Sequence, residues 1–191
     1  MKHATAMRLG FSLAVVCCVA ATPIASFQAT ASEEAAVKEL ELRVAGYVDL
    51  HRRIEGPVPT PRVSSDAGEI RRAVDALGAQ IRKARQTAKP GDIFTPEIAS
   101  MIRGRIRAGC GGDFESVRAT AHHDMGQIPA AKVNGNWPGP AMTVMPVTVL
   151  CQLPSLPEEL EYRFVNRALV LWDAHADVIV DVMPGALPLA R

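Results

Sequence analysis

Apolar residues in the first part of the chain recur every three or four positions, a spacing that places them along one side of a helix. Over residues 33–55 this stripe comprises Val37, Leu40, Val44, Tyr47, His51 and Ile54. Prolines lack a backbone donor and disfavour helix in the residue before them. The sequence therefore predicts a first helix that ends before Pro57, Pro59 and Pro61.

A second helix is predicted to begin at Asp66, whose carboxylate suits an N-cap, with Glu69 placed to complete a capping box. Its apolar stripe comprises Ile70, Val74, Leu77, Ile81, Ala84 and Ala88. Because only a short proline-rich turn separates two amphipathic helices, the pattern predicts that they form an antiparallel helical hairpin.

A third helix is predicted from Thr95 to about Ala108, with Thr95 as N-cap and Pro96 at the first helical position. Glycines then end it. Farther along, residues 132–137 predict a short strand beside an Asn-Gly turn. One or two turns of helix over residues 146–153 would carry the cysteine at 151 inward.

The C-terminal part changes to an alternation with period two, which is typical of strands. From Leu160 onward, three such runs separated by turns at 166–167 and 173–176 predict a three-stranded antiparallel β-meander. In the last strand Asp177 and Asp181 fall on one side, and we predict that this side faces solvent.

These elements predict a single α+β domain over residues 32–191. Its helical part covers 33–109, a loop-rich part covers 110–157, and the β-meander covers 158–184. The composition, 48% hydrophobic and 21% charged, is that of a globular protein and excludes a disordered chain.

The first 31 residues have the composition of a secretory signal peptide. Lys2 and Arg8 precede an apolar run of about 11 residues, short of the roughly 20 that a membrane-spanning helix needs, and small residues end at Ala29 and Ala31. We predict cleavage after Ala31 and a periplasmic or secreted protein. The alternative is an inner-membrane protein anchored by an uncleaved N-terminal segment.

Two cysteines, Cys110 and Cys151, follow the predicted signal peptide. In an oxidising compartment two such cysteines are expected to pair, and closing this loop stabilises the fold by roughly 4 kcal/mol on the chain-entropy model. The sequence therefore predicts one disulfide. The alternative, a reactive or metal-binding thiol pair, lacks a Cys-x-x-Cys spacing.

The formal charge of +1 argues against a nucleic-acid-binding protein. The charge is unevenly distributed, with an excess of basic residues over 62–109 and of acidic residues over 110–191. Such a split suits either two halves that face each other or a basic face for an anionic envelope component. The residues assigned to such partner binding are Arg103, Arg105, Arg107 and Trp137.

Candidate metal ligands cluster at His122, His123 and Asp124, where a loop would bind a divalent ion weakly. The alternative is an ordinary exposed loop. His51 lies on the apolar stripe of the first helix, so we expect a packed, hydrogen-bonded core histidine there rather than a ligand. The sequence predicts no organic cofactor.

Motifs for catalysis are not found: the chain has no Gly-x-Ser-x-Gly elbow, phosphate loop or dinucleotide fingerprint. The pair Glu158-Glu159 could in principle do acid/base work, but a solvated turn or a helix start after proline is expected instead. The sequence thus favours a non-enzymatic envelope protein that binds another, unknown macromolecule, and its amphipathic helices suit a homodimer. A divalent-metal or small-ligand-binding protein using the 122–124 loop is the alternative.

Two segments, residues 91–97 (GDIFTPE) and 153–165 (LPSLPEELEYRFV), resemble a group of exported bacterial proteins of unassigned function. That resemblance implies export and a helical part followed by a β part. It does not imply any particular activity. The strand pattern of the last thirty residues is similar to the β-hairpin of periplasmic proteins related to nickel and cobalt homeostasis. This second likeness implies a link to metals and transfers no ligand residue.

Overall fold

The computed structural model describes residues 31–56, 66–111, 117, 119, 128–139 and 145–187. In chain order the elements with assigned bounds are α1 (Ala31–Glu55), α2 (Ala67–Ala84), α3 (Pro96–Cys110), the short α4 (Val147–Leu150), β1 (Leu160–Val165), β2 (Ala168–Asp173) and β3 (Val178–Met183). The predicted α+β class is confirmed. The proline-rich turn at 57–65 lies outside the described residues.

The predicted stripe of α1 is the face that enters the core. Leu40, Val44, Tyr47 and His51 are buried along it, and the acidic residues Glu33 and Glu34 lie in the first turn. Acidic side chains there stabilise the positive end of the helix dipole. Helix α1 contacts both α2 and α3.

The predicted caps of the next two helices are present. The Asp66 carboxylate accepts a hydrogen bond from Gly68 N at 2.7 Å, and Thr95 caps α3 with Pro96 in its first turn. Helix α3 extends to Cys110 and ends at Gly111, which adopts a left-handed conformation with φ of 55°. A glycine takes this conformation without the strain that a Cβ adds.

The three strands form an antiparallel sheet in the order β1-β2-β3, which confirms the predicted meander. Leu160 pairs with Asp173 across the first hairpin, and Asp173 pairs with Val178 across the second. Asn166 and Asp177 hold positive φ at the turns, a conformation that Asn and Asp tolerate better than most residues.

Both faces of the sheet are covered. One packs against the helices in the main core, and the other carries a second cluster that includes Val170, Trp172 and Ile179, covered by the segment 128–137. Within that segment, residues 132–137 form a turn rather than the predicted strand. The turn is joined to β3 by two backbone hydrogen bonds with Ile179, each 2.8 Å long.

The prediction that Asp181 faces solvent is wrong, because Asp181 is fully buried. The register shifts between Leu171 and Trp172, so Val180 is an extra residue in β3. Such a bulge changes the phase of alternation, which turns Asp181 to the helix-facing side. There its carboxylate accepts backbone hydrogen bonds from Gly91, Ile93 and Phe94 at 2.7–3.0 Å.

The predicted disulfide is not formed between Cys110 and Cys151, although both lie in the described part of the chain. Cys110 is buried in the core at the end of α3, whereas Cys151 is exposed after α4. The prediction that Cys151 points inward is therefore also wrong. At Gly109 an added Cβ would lie 2.7 Å from Thr148 O, so the two helices approach through their backbones instead.

Within the described ranges, no helix combines the length and the apolar character that crossing a membrane requires.

Candidate functional site

The C-terminal turns of α1 meet the end of β2 at a buried polar cluster. His51 and Asp173 are both 0% exposed. The expectation that His51 is a packed, hydrogen-bonded histidine of the apolar stripe is confirmed. Its surroundings, however, contain more ionisable groups than an ordinary core histidine has.

Asp173 uses both of its carboxylate oxygens. Oδ2 accepts a hydrogen bond from Tyr47 Oη at 2.6 Å and one from His51 Nδ1 at 2.6 Å. Oδ1 accepts from the backbone N–H groups of His175 and Ala176 at 3.0 and 2.9 Å. Because an ionised carboxylate only accepts, His51 Nδ1 is the donor, which directs Nε2 away from Asp173.

The second ring nitrogen of His51 points toward the surface end of the cluster. Nε2 lies 3.4 Å from Glu55 Oε2 but makes no hydrogen bond with any described residue. The ring of His175 lies 6.0 Å away, centroid to centroid, in an edge-on arrangement. One nitrogen or oxygen atom from each of His51, Glu55 and His175 lies within 4.8 Å of the other two.

This geometry is close to what a metal ion requires. Zinc bonds of 2.0–2.1 Å in a tetrahedral arrangement separate ligand atoms by about 3.3 Å. The distance from His51 Nε2 to Glu55 Oε2 already meets this value. The third ligand candidate, the exposed His175, lies in a turn, and its ligand atom is within 4.8 Å of the other two.

The electrostatics of the cluster favour a cation at His51. Burial by itself lowers the pKa of His51, but the hydrogen bond and the charge of Asp173 outweigh it. The charges of Glu55 and Glu159 act in the same direction, so the pKa of His51 lies above its ordinary value. Burial first, and then the charge of Asp173, raise the pKa of Tyr47, which therefore stays a hydrogen-bond donor.

Beside this cluster lies a second buried carboxylate, Glu159. Its Oε1 accepts a hydrogen bond from Arg52 Nε at 2.7 Å, while Oε2 has no hydrogen-bond partner among the described residues. Burial raises the pKa of Glu159, but the hydrogen bond and charge of Arg52, together with a backbone hydrogen bond and the charge of His51, outweigh burial, so the pKa lies below its ordinary value. The expectation that the Glu158-Glu159 pair is solvated is wrong for Glu159, which is 3% exposed and whose carboxylate is paired with Arg52.

The turn that carries His175 is held by α2. A Cβ at Gly78 would overlap the carbonyl oxygen of Ala176, so only glycine allows this close approach. Arg85, from the end of α2, lies 5.1 Å above the ring of Tyr47 and donates a hydrogen bond to Val180 O at 2.9 Å. Helix α2 thereby fixes both the turn and the tyrosine that bonds to Asp173.

The metal ligands expected from the sequence, His122, His123 and Asp124, lie outside the described residues. Of the residues assigned to partner binding, Arg103 donates to Pro184 O, Arg105 pairs with Glu33, and Trp137 packs against Trp172 with ring centroids 5.5 Å apart. Arg107 is exposed. Their role in binding a partner stays a prediction.

Sequence reasoning missed Glu55, Asp173 and His175 as site residues. One signal was present: His51 and Glu55 are four apart, which places them on the same face of a helix. Asp173 and His175 were assigned only to a turn. Nothing in the alternation of strand residues indicates that this turn lies against α1.

Comparisons with protein-family models, with curated proteins and with solved structures find no match to this chain. The resemblances described from the sequence therefore stay predictions, and the function is inferred from the site itself.

Proposed function

We propose that this protein binds a divalent transition-metal ion, with His51 Nε2, the Glu55 carboxylate and His175 as its ligands. The observation that carries the proposal is the buried Nε2 of His51, which has no hydrogen-bond partner among the described residues and lies 3.4 Å from Glu55 Oε2, in a cluster that His175 completes. Buried polar atoms in native proteins generally have partners, so each exception calls for an explanation.

The role of Asp173 supports this assignment. A histidine that binds a metal through one nitrogen commonly donates its other N–H to a carboxylate, which fixes the tautomer and the ring orientation. Asp173 makes this contact with His51 Nδ1 at 2.6 Å. Burial lowers the pKa of His51, but Asp173 and the nearby glutamates raise it above its ordinary value, so a metal ion that binds Nε2 competes with a proton.

Imidazole and carboxylate ligands suit zinc and other late first-row divalent ions rather than magnesium or calcium. We use zinc as the test ion. The wider proposal, which rests on the leader-like N-terminus, is that the protein is exported and binds its metal in the cell envelope.

Zinc titration of the untagged protein, followed by calorimetry, tests the site. We expect His175→Ala and Glu55→Gln each to weaken zinc binding by about tenfold or more, since each removes one ligand. Both side chains are at least partly exposed, so these variants should fold. Glu41→Gln, an exposed change on the same helix, is the matched control and should bind zinc as the wild type does.

The double variant His122→Ala/His123→Ala separates this site from the 122–124 loop. If the proposal holds, the double variant keeps its zinc affinity. Loss of zinc binding in the double variant, together with normal binding by His175→Ala, would move the site to that loop. A wild-type protein that binds no zinc, cobalt or nickel would overturn metal binding altogether.

A further inference from the structure

Helix α1 has a second side, which is exposed and does not enter the core. Along this side, here called the outer stripe, exposed residues recur every three or four positions: Ala35, Lys38, Leu42, Ala45, Asp49 and Arg52. This spacing is that of the seam between two helices packed side by side. Leu42, which is 66% exposed, lies near the middle, with residues of opposite charge toward the two ends.

The charges of the outer stripe complement each other when two copies of α1 pack antiparallel. One alignment places Leu42 of each copy opposite Ala45 of the other. The same alignment places Lys38 of each copy opposite Asp49 of the other, since the two pairs have a common midpoint on the helix. An opposite-charge pair then lies on each side of an apolar centre. A parallel, in-register pair would bring like charges together at both positions, so the charges favour the antiparallel arrangement.

The surface beside the outer stripe has room for the leucine of a second copy. Leu40, Val44 and Ala45 line a mostly apolar groove with the segment 154–157, and its volume is about 280 Å³. Ala45 belongs to both the groove and the outer stripe, so a leucine placed opposite Ala45 lies at the mouth of this groove. At Gly46, the next residue, an added Cβ would meet no atom within 4 Å, which lets a second helix approach closely.

We infer that this protein forms a symmetric dimer in which the outer stripes of two α1 helices pack antiparallel. The occupant of this surface is a second copy of the chain, because each copy supplies both the leucine and the groove, and both members of the charge pair. Such a contact is isologous, so it closes at two copies. The apolar face of α1 is buried inside the monomer, so the dimer uses the opposite side of the helix. It does not require the proposed metal.

Sedimentation velocity of the untagged full chain, without added metal, measures the association. We expect the wild type to dimerise with a Kd in the micromolar range. Lys38→Glu turns both opposite-charge pairs into repulsive ones, so we expect the Kd to rise about tenfold or more. Lys83→Glu makes the same charge change at an exposed position on α2. It is the matched control and should leave the Kd unchanged.

Two further variants test the alignment and the apolar centre. The double variant Lys38→Glu/Asp49→Lys exchanges the two charges, which restores attraction in the antiparallel arrangement, so its Kd should return to within a few-fold of the wild type. Leu42→Ala removes one leucine from each side of the centre, and we expect the Kd to rise about tenfold or more. All three side chains are exposed in the monomer, so the variants should keep the fold, which circular dichroism checks.

A zero-length carbodiimide crosslink between Lys38 and Asp49 reports the arrangement directly. The two residues are eleven positions apart on α1, which separates them by about 16 Å within one helix, so a crosslinked peptide that joins them comes from two copies. A wild type that remains monomeric far above micromolar concentrations would overturn the dimer. A dimer that Lys38→Glu does not weaken, or that the double variant does not restore, would overturn the outer stripe as its interface.

Discussion

Asp173 and Asp181 lie on the same side of the sheet and are both fully buried, but different groups hold them. Asp181 accepts four backbone hydrogen bonds, three from the segment before α3 and one from Val182. One carboxylate oxygen of Asp173 accepts hydrogen bonds from backbone N–H groups, and the other accepts hydrogen bonds from the side chains of Tyr47 and His51.

The difference separates a carboxylate that holds backbone groups from one that orients a ligand of the proposed metal site. Backbone N–H groups do not titrate or bind metals, so Asp181 can only fix the segment 89–95 against β3. The partners of Asp173 include a histidine whose other nitrogen remains available to a ligand. A buried carboxylate therefore indicates a site when its partners are themselves reactive side chains.

The largest expected effect is the loss of stability in Asp181→Ala. At least three buried N–H groups would lose their acceptor, and each costs about 1–3 kcal/mol. We expect the free energy of unfolding to fall by about 3 kcal/mol or more, measured by urea denaturation of the metal-free protein. The control Asp75→Asn, on the exposed side of α2, should change it little. An Asp181→Ala protein as stable as the wild type would show that these N–H groups find other acceptors.

Asp173→Asn should mainly weaken metal binding. An amide at 173 would donate toward His51 Nδ1, which moves the ring proton to Nε2 and blocks the metal-binding nitrogen. We expect zinc affinity to fall 10–100-fold in calorimetry. The matched variant Asp181→Asn, where it folds, should keep its zinc affinity. Equal losses in both variants would contradict the contrast between the two aspartates.

Tyr47→Phe should have a smaller effect, because it removes only one of the hydrogen bonds to Asp173. We expect a loss of about 1.5 kcal/mol in the free energy of unfolding, the usual contribution of a bond to a charged acceptor. Tyr162→Phe is the matched control, because Tyr162 Oη is buried without a hydrogen-bond partner in the described chain. Removing that hydroxyl should leave the free energy of unfolding unchanged. A larger decrease in Tyr162→Phe than in Tyr47→Phe would contradict this prediction.

The smallest expected effect is spectroscopic, and it concerns the two tyrosines of the chain, Tyr47 and Tyr162. Burial, together with Asp173 in the case of Tyr47, raises the pKa of both phenols. Their ordinary pKa is about 10, so the folded protein should show no tyrosinate absorbance at pH 11. The contribution of these two phenols to the free energy of unfolding is fully present below pH 10 and decreases as the pH rises further. Tyrosinate should appear only as the protein unfolds, and a phenol that ionises in the folded state would contradict its burial.

The local elements were predictable because their signals are local. The stripe of α1, the caps at Asp66 and Thr95 and the alternation of the strands each depend on neighbours within a few residues. The predicted α+β class and the meander are confirmed for this reason. Burial of His51 was predictable too, since it follows from its place on the stripe.

The failed predictions about Asp181 and about the two cysteines depended on contacts between distant residues. The burial of Asp181 follows from a bulge opposite Leu171 and Trp172, and a regular alternation gives no sign of a bulge. The pairing of Cys110 with Cys151 was inferred from their number, whereas the directions of the two side chains are set by how α3 packs on α4.

By itself, the sequence determined the helices α1, α2 and α3, the three strands of the meander and the apolar stripe of α1, because those properties repeat with a short period. Only the tertiary structure decided that the turn after β2 lies against the last turns of α1. That contact joins residues more than a hundred positions apart and brings Asp173 and His175 to His51. The candidate site exists because of this packing, since none of its long-range contacts is encoded in the spacing of any one element.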